Sequence, residues 1–145
     1  MESWLSVYIA APILAWLVAQ FIKLLIAIKD KSHSKDVSIL FRSGDMPSSH
    51  TATMLALVTT VGYTEGITSA VFGVAVVLTA VVIYDALNVR RAVGEQGAVV
   101  KELAEASKIK KKFYMAEGHK PLEVVAGAAV GIVSAVVILY IFEIF

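Results

Sequence analysis

The chain has 145 residues, 58% of them hydrophobic, with a mean hydropathy of +0.77 and a formal net charge of +1. Soluble domains carry roughly 45–50% apolar residues, so the composition points to a single membrane-embedded domain over residues 1–145. Cysteine is absent, which excludes disulfides, thiolate nucleophiles and cysteine-ligated zinc or iron–sulfur centres.

Residues Leu5 to Ile28 are nearly all apolar, with Gln20 and Lys23 as interruptions. About 20 apolar residues cross the hydrocarbon core of a bilayer, so a first span is expected here. Glu2 stands where a cleaved signal would be basic, and the stretch is too long for a signal h-region, so the span reads as retained. Residues 29–46 are polar and form a loop, partly helical. Ser48 to Gly62 is a shorter run rich in Ala, Leu, Val and Thr. At ~1.5 Å per residue it barely crosses a bilayer, so its start is expected below the membrane surface. Tyr63 to Gly66 is a tight turn and Ile67 to Val89 a third span. Residues 90–118 are charged. Within them, Ala98 to Ile109 sets Val99, Val100, Leu103, Ala106 and Ile109 near helical spacing, which predicts an amphipathic interfacial helix. Pro121 to Phe142 is the last span. The expected fold is an all-α integral membrane bundle of about four membrane-embedded helices plus that interfacial helix.

Four crossings put both long polar loops on one side, and the charges agree. All 13 Lys and Arg lie between Lys23 and Lys120. The opposite side carries Glu2, Glu65 and Glu143 and no basic residue. Positive loops stay cytoplasmic, so both loops are expected in the cytoplasm of a cell-membrane protein, with both termini outside.

This topology gathers the polar features on the cytoplasmic face. In GHKPLEVVAGAAVG, residues 118–131, His119 and Glu123 are four apart and share a face of a first helical turn. A carboxylate holding one imidazole nitrogen fixes the tautomer and leaves the other free to attack. Pro121 suits a first turn, where its missing N–H is not needed. Gly127 and Gly131 form a GxxxG step that permits close helix packing. In PSSHTA, Ser48, Ser49 and the first N–H groups of a helix make an anion cradle, with Pro47 ahead of it. His50, next in line, can protonate a leaving oxygen. In YDALNVRRAVGEQ, Asp85 is an apolar-flanked carboxylate near a span end, and Arg90 and Arg91 have planar forks suited to phosphate. Each piece alone also fits a structural role: interfacial polar residues for His119 and Glu123, a plain N-cap for PSSH, membrane-anchoring arginines with Asp85 as their partner. Together they form an inventory for phosphoryl transfer through a phosphohistidine.

These residues resemble the type 2 phosphatidic acid phosphatase superfamily, related to vanadium haloperoxidases, whose members carry P-S-G-H and a later S-R-x(5)-H-x-x-x-D. PSSH at 47–50 is similar to the first motif and His119-x-x-x-Glu123 to the end of the second. The closest match is the divergent short branch, with G-x-M-P-S-S-H, D-A-x-x-V-R-R-A-x-G-x-Q and G-H-x-P-x-E-V-x-x-G. Those blocks stand at Gly44–His50, Asp85–Gln96 and Gly118–Gly127. Glu123 replaces the main branch's aspartate, Phe113 stands where its Ser-Arg is expected, and its K-x(6)-R-P is unmatched. Arg90 or Arg91 then substitutes for the missing arginine, with Lys23 as a further candidate.

The resemblance implies a lipid phosphate monoester phosphatase. His119 is the expected nucleophile, Glu123 its partner and His50 the acid. Ser48, Ser49, Arg90, Arg91 and Lys23 are expected on the phosphate, with Asp85, Pro47, Gly118 and Gly127 as structural support. The scheme requires no metal and no cofactor. Phosphatidylglycerophosphate ranks first as substrate, followed by prenyl phosphate and phosphatidic acid, with haloperoxidase-type activity a weaker alternative. The expected partners are the lipid substrate and the bilayer, with no nucleic acid, and the Gly-rich helix faces suit a homodimer. The competing expectation is a non-catalytic scaffold or anionic-lipid binder using its basic loop.

Overall fold

The computed structural model describes residues 2–29, 46–109 and 118–144. Helix α1 runs Glu2–Lys29, α2 Ser49–Thr64, α3 Ala70–Tyr84, α4 Arg90–Ala106 and α5 Pro121–Ile144, with a π-helical turn at Asp85–Val89 joining α3 to α4. No strand occurs among the described residues, and the protein is an all-α membrane bundle. The 30–45 loop, which includes Gly44 of the first motif, and the 110–117 segment, which includes Phe113, lie outside the described residues.

Among the described residues, three stretches are long and apolar enough to cross a membrane: Val7–Lys29, Ala70–Ala106 and Pro121–Phe142. At 16 residues, α2 falls short of them, yet it is the centre of the bundle and packs against α1, α3 and α5. Lipid tails are as apolar as leucine, so helices in a bilayer gain little from hydrophobicity alone and associate through close backbone approach at small residues. The buried positions follow that rule with a four-residue repeat. On α1 the repeat is Val7, Ala11, Ala15, Ala19 and Lys23; on α2 it is Ser48, Ala52, Ala56 and Thr60. On α5 it is Gly127, Gly131 and Ala135, continued by Leu139. Ridges spaced by four residues interlock along their length. A Cβ on Gly127 would come within 2.4 Å of the Ser48 carbonyl oxygen, and one on Gly131 within 2.3 Å of the Ala52 carbonyl oxygen. The expected GxxxG step is thus the α2–α5 contact.

The second connection is longer than the Tyr63–Gly66 turn that was expected. Helix α2 continues to Thr64, Gly66 adopts a positive φ of 82°, and α3 starts only at Ala70, where Ser69 Oγ accepts the Phe72 N–H at 3.2 Å. Tyr8 of α1 donates a hydrogen bond to the Glu65 carboxylate at this turn. The helix that carries the third span does not stop at Val89. It continues through the π turn into α4 as one 37-residue helical stretch, Ala70–Ala106, about 55 Å long at ~1.5 Å per residue. Residues 90–106 contain no proline and are rich in Arg, Glu, Gln, Lys and Ala, all good helix formers, so the charge at Arg90 ends the membrane segment without ending the helix. The apolar side chains Val99, Val100 and Leu103 of the predicted amphipathic segment are exposed.

Candidate active site

The buried ridges of α1, α2 and α5 all end in polar groups at one end of the bundle. Lys23 closes the α1 ridge at 3% exposure. Ser48 caps α2, and His119 with Glu123 opens α5. The topology forces this meeting, because α1 arrives at that end while α2 and α5 depart from it.

His119 precedes α5 and is held at two points. Its backbone N–H donates to the Ala86 carbonyl at 3.0 Å. Its ring Nδ1 lies 3.0 Å from Glu123 Oε2, and the residue is 2% exposed. Glu123 is the third residue of α5, and the same Oε2 accepts the Lys120 N–H at 3.0 Å. This is the reach of a third-position glutamate back to the helix cap. One carboxylate therefore closes the start of the helix and fixes the imidazole. The Glu123 carbonyl accepts the Ser48 N–H at 3.0 Å, fastening the start of α2 to the start of α5.

With Nδ1 engaged, Nε2 is the ring nitrogen left for chemistry. Burial disfavours the charged ring and pushes the His119 pKa below its ordinary value. The hydrogen bond to Glu123 opposes this, while Lys23 and Arg90 push it further down. The net lowering favours a neutral imidazole near pH 7, the form that carries a lone pair.

At the start of α2, Ser48 Oγ accepts the Thr51 N–H at 3.4 Å and the Thr51 hydroxyl at 3.0 Å. It is fully buried, so its hydroxyl oxygen serves the helix cap. Pro47 and Ser49 on either side are also buried, whereas His50 is exposed. The positive end of the α2 dipole and its first N–H groups point toward this end of the bundle, an arrangement that favours anions.

The π turn supplies the cation. Arg90 Nε lies 2.5 Å from Asp85 Oδ2. Five residues separate them, and in a regular α-helix that spacing turns the two side chains well away from each other. The wider turn, in which the Arg90 N–H reaches back to the Asp85 carbonyl, aligns them. Arg91 faces elsewhere: its Nε is 3.1 Å from Glu95 Oε1 in an exposed pair. Its backbone packs on Gly118, where a Cβ would meet the Arg91 nitrogen at 2.3 Å. Lys23, Arg90, His50 and His119 are close enough for their charges to act on one another.

The structure thus brings together Lys23, His50, Asp85, Arg90, His119 and Glu123. It places Gly118 and Gly127 at close backbone approaches, and it sets the Arg91 guanidinium on Glu95. Sequence reasoning missed the Ala86 carbonyl that seats His119 and the hydroxyl of Thr51 against Ser48. The π turn had one trace in the sequence, an acid and an arginine at a spacing of five. Among the described residues no group of three or more His, Asp or Glu could hold a metal ion. An imidazole with one engaged nitrogen, a second imidazole, two cations and a helix N-terminus can bind a phosphate ester and pass its phosphoryl group to nitrogen.

A family model described as the divergent PAP2 family matches residues 5–134. The uncharacterized membrane protein YuiD of Bacillus subtilis (strain 168) is 34% identical over 128 residues, covering 77% of this chain and 80% of that protein. No solved structure matches the chain.

Proposed function

The chain belongs to the divergent PAP2 family, and from that premise we propose that it hydrolyses the phosphate monoester of a membrane lipid through a phosphohistidine. The observation that carries the reading is the buried His119, with Nδ1 held 3.0 Å from Glu123, among Lys23, Arg90 and His50.

In this mechanism the phosphate docks against Lys23, Arg90 and the first N–H groups of α2, including that of Ser49. Its charge favours the protonated form of His50. His119 Nε2 attacks phosphorus, the bond from phosphorus to the lipid oxygen breaks, and His50 gives its proton to that oxygen. Water then attacks the phosphohistidine, His50 takes the water's proton, the phosphorus–nitrogen bond breaks and inorganic phosphate leaves. Glu123 stabilises the ring as positive charge develops on it. Asp85 holds Arg90, and Arg91 takes no part. Family resemblance supports phosphatidylglycerophosphate as the first substrate to try, then prenyl phosphate and phosphatidic acid. The site faces the cytoplasm, a reading supported by the confinement of all 13 basic residues between Lys23 and Lys120.

The test is phosphate release from a lipid phosphomonoester panel by purified protein, with rapid quenching to trap the intermediate. Wild type should accumulate acid-labile label on His119, and His119→Ala should form none. His50→Ala should form the intermediate about 10²–10⁴-fold more slowly, the usual worth of a positioned acid. Label on His50, or full turnover by His119→Ala, would overturn the assignment. If no lipid phosphate turns over while anionic vesicles still bind, the same cations serve a headgroup-binding protein instead.

A further inference from the structure

Away from the polar cluster, α1 and α5 leave a groove of about 470 Å³ between them. Leu14 and Val18 form one wall, and Ala129, Val133, Ser134 and Val137 line the other. The volume lies within the range of about 300–1,000 Å³ common for small-molecule sites. Its mouth faces outward from the bundle: Val133 is 61% exposed and Val137 43%.

We infer that this groove holds one hydrocarbon chain of the lipid whose phosphate reaches His119, an inference that rests on the phosphatase reading. The groove and the polar cluster share two helices: on α5, Ser134 and Val137 lie on the same face as Glu123, whereas on α1 Val18 and Leu14 are turned away from Lys23. The helix that carries Leu14 and Val18 ends in Lys23, and the helix that carries Ala129 to Val137 begins beside His119 and Glu123. Val18 and Leu14 lie five and nine residues before Lys23, about 7 and 14 Å of helix rise. Ala129 and Val137 lie six and fourteen residues beyond Glu123, about 9 and 21 Å. One leaflet of the hydrocarbon core is about 15 Å deep, half of ~30 Å. A lipid with its phosphate among Lys23, Arg90 and His119 therefore lays its chain along this groove through the depth of its own leaflet, and the groove ends about 6 Å past the midplane at Val137. The chemistry is matched at both ends, cations at the headgroup and aliphatic walls along the tail, with Ser134 the one polar residue among the seven that line it, Val130 included. Small Ala129 gives the chain room beside the helix backbone.

The experiment uses the full chain in vesicles. Val133→Trp and Leu14→Trp fill the groove, and Val136→Trp adds the same bulk to an exposed α5 position outside it. Steady-state kinetics compare long-chain phosphatidic acid with p-nitrophenyl phosphate, which has no tail. The groove variants should raise KM for phosphatidic acid about tenfold, the lower end of what a filled apolar pocket costs. Their kcat, and their turnover of p-nitrophenyl phosphate, should match wild type, as should Val136→Trp on both substrates. Unchanged KM for the long-chain substrate in both groove variants would overturn the inference. A second readout needs no turnover: phosphatidic acid with a photoreactive group at the chain end should label peptides containing Leu14 or Val133 in the His119→Ala protein. Label confined to α3, or photo-cross-linking through Val133 to a second copy of the chain, would assign the groove a different occupant. If wild type hydrolyses neither substrate, the phosphatase reading fails on that arm, while the photolabel still decides whether a lipid tail lies in the groove.

Discussion

His119 carries two opposing influences, and their signs can be separated by substitution. Burial, Lys23 and Arg90 lower its pKa, and Glu123 raises it. In the proposed mechanism the neutral ring is the nucleophile, so activity should persist below the ordinary imidazole pKa of about 6.5 and be lost as pH falls through the lowered value. Lys23→Gln removes a charge that disfavours protonation. The acidic limb of kcat/KM should therefore move to higher pH while the residual rate falls. Glu123→Gln removes the opposing influence, and the limb should move to lower pH. A pH–rate profile of the three proteins reads both shifts, and identical limbs would contradict the placement of Lys23 beside the ring. Glu123→Asp shortens the reach that joins Lys120 N–H and His119 Nδ1 to one oxygen, so it should lose activity and also loosen the first turn of α5. The pairing of His119 with Glu123 was legible from their spacing alone. The choice between the two arginines was not, because at regular helical spacing Asp85 and Arg90 point apart, and a spacing of five becomes a pair only once the helix widens.

At the scale of elements, the π turn works as a one-residue insertion in a helix that would otherwise run unbroken from Ala70 to Ala106. Such turns recur at functional sites because they re-aim side chains and carbonyls. Here the turn aligns Arg90 with Asp85 and contains the Ala86 carbonyl that receives the His119 N–H. Deleting Asn88 should restore a regular helix and rotate Arg90 out of the cluster. Circular dichroism should stay helical while kcat falls about 10²–10³-fold, the loss seen when one donor to developing negative charge is removed. The start of α2 against α5 sets a second constraint. Gly127→Ala brings a methyl group into the Ser48 carbonyl, and such overpacking costs typically 1–3 kcal/mol. Denaturant titration in detergent should show it, with an equal effect for Gly131→Ala. The GxxxG step was readable because small residues four apart have few other uses in a span. The continuation of α3 into α4 was not, because charge marks the end of the apolar part and carries no signal of whether the helix goes on.

For the molecule as a whole, the proposed orientation makes a direct prediction. A single cysteine at Ser107, beyond the end of α4, should resist membrane-impermeant thiol reagents in intact cells and react after permeabilisation, whereas one at Ile67 should be labelled from outside. The reverse pattern would turn the cluster to the outer face. Hydropathy made the all-α membrane bundle plain, and charge asymmetry supplied the expected orientation. What no pattern in the chain disclosed is the groove between α1 and α5, since a gap between two helices depends on how their ridges interlock.

The brevity of α2 has a mechanical consequence. Its 16 residues rise about 24 Å, while the hydrocarbon around it is about 30 Å thick. The helices surrounding it are long enough to span, so the deficit falls at its ends, and the bilayer must thin or water must dip to meet Ser49 and His50. Hydrophobic mismatch of this kind costs fractions of a kcal/mol per Å and makes proteins sensitive to the membrane that holds them. Reconstituted into phosphatidylcholines of increasing acyl length, the protein should turn over fastest in the thinner bilayers and slow as the lipid thickens, with no residue changed. The host membrane would then regulate the proposed activity through thickness alone.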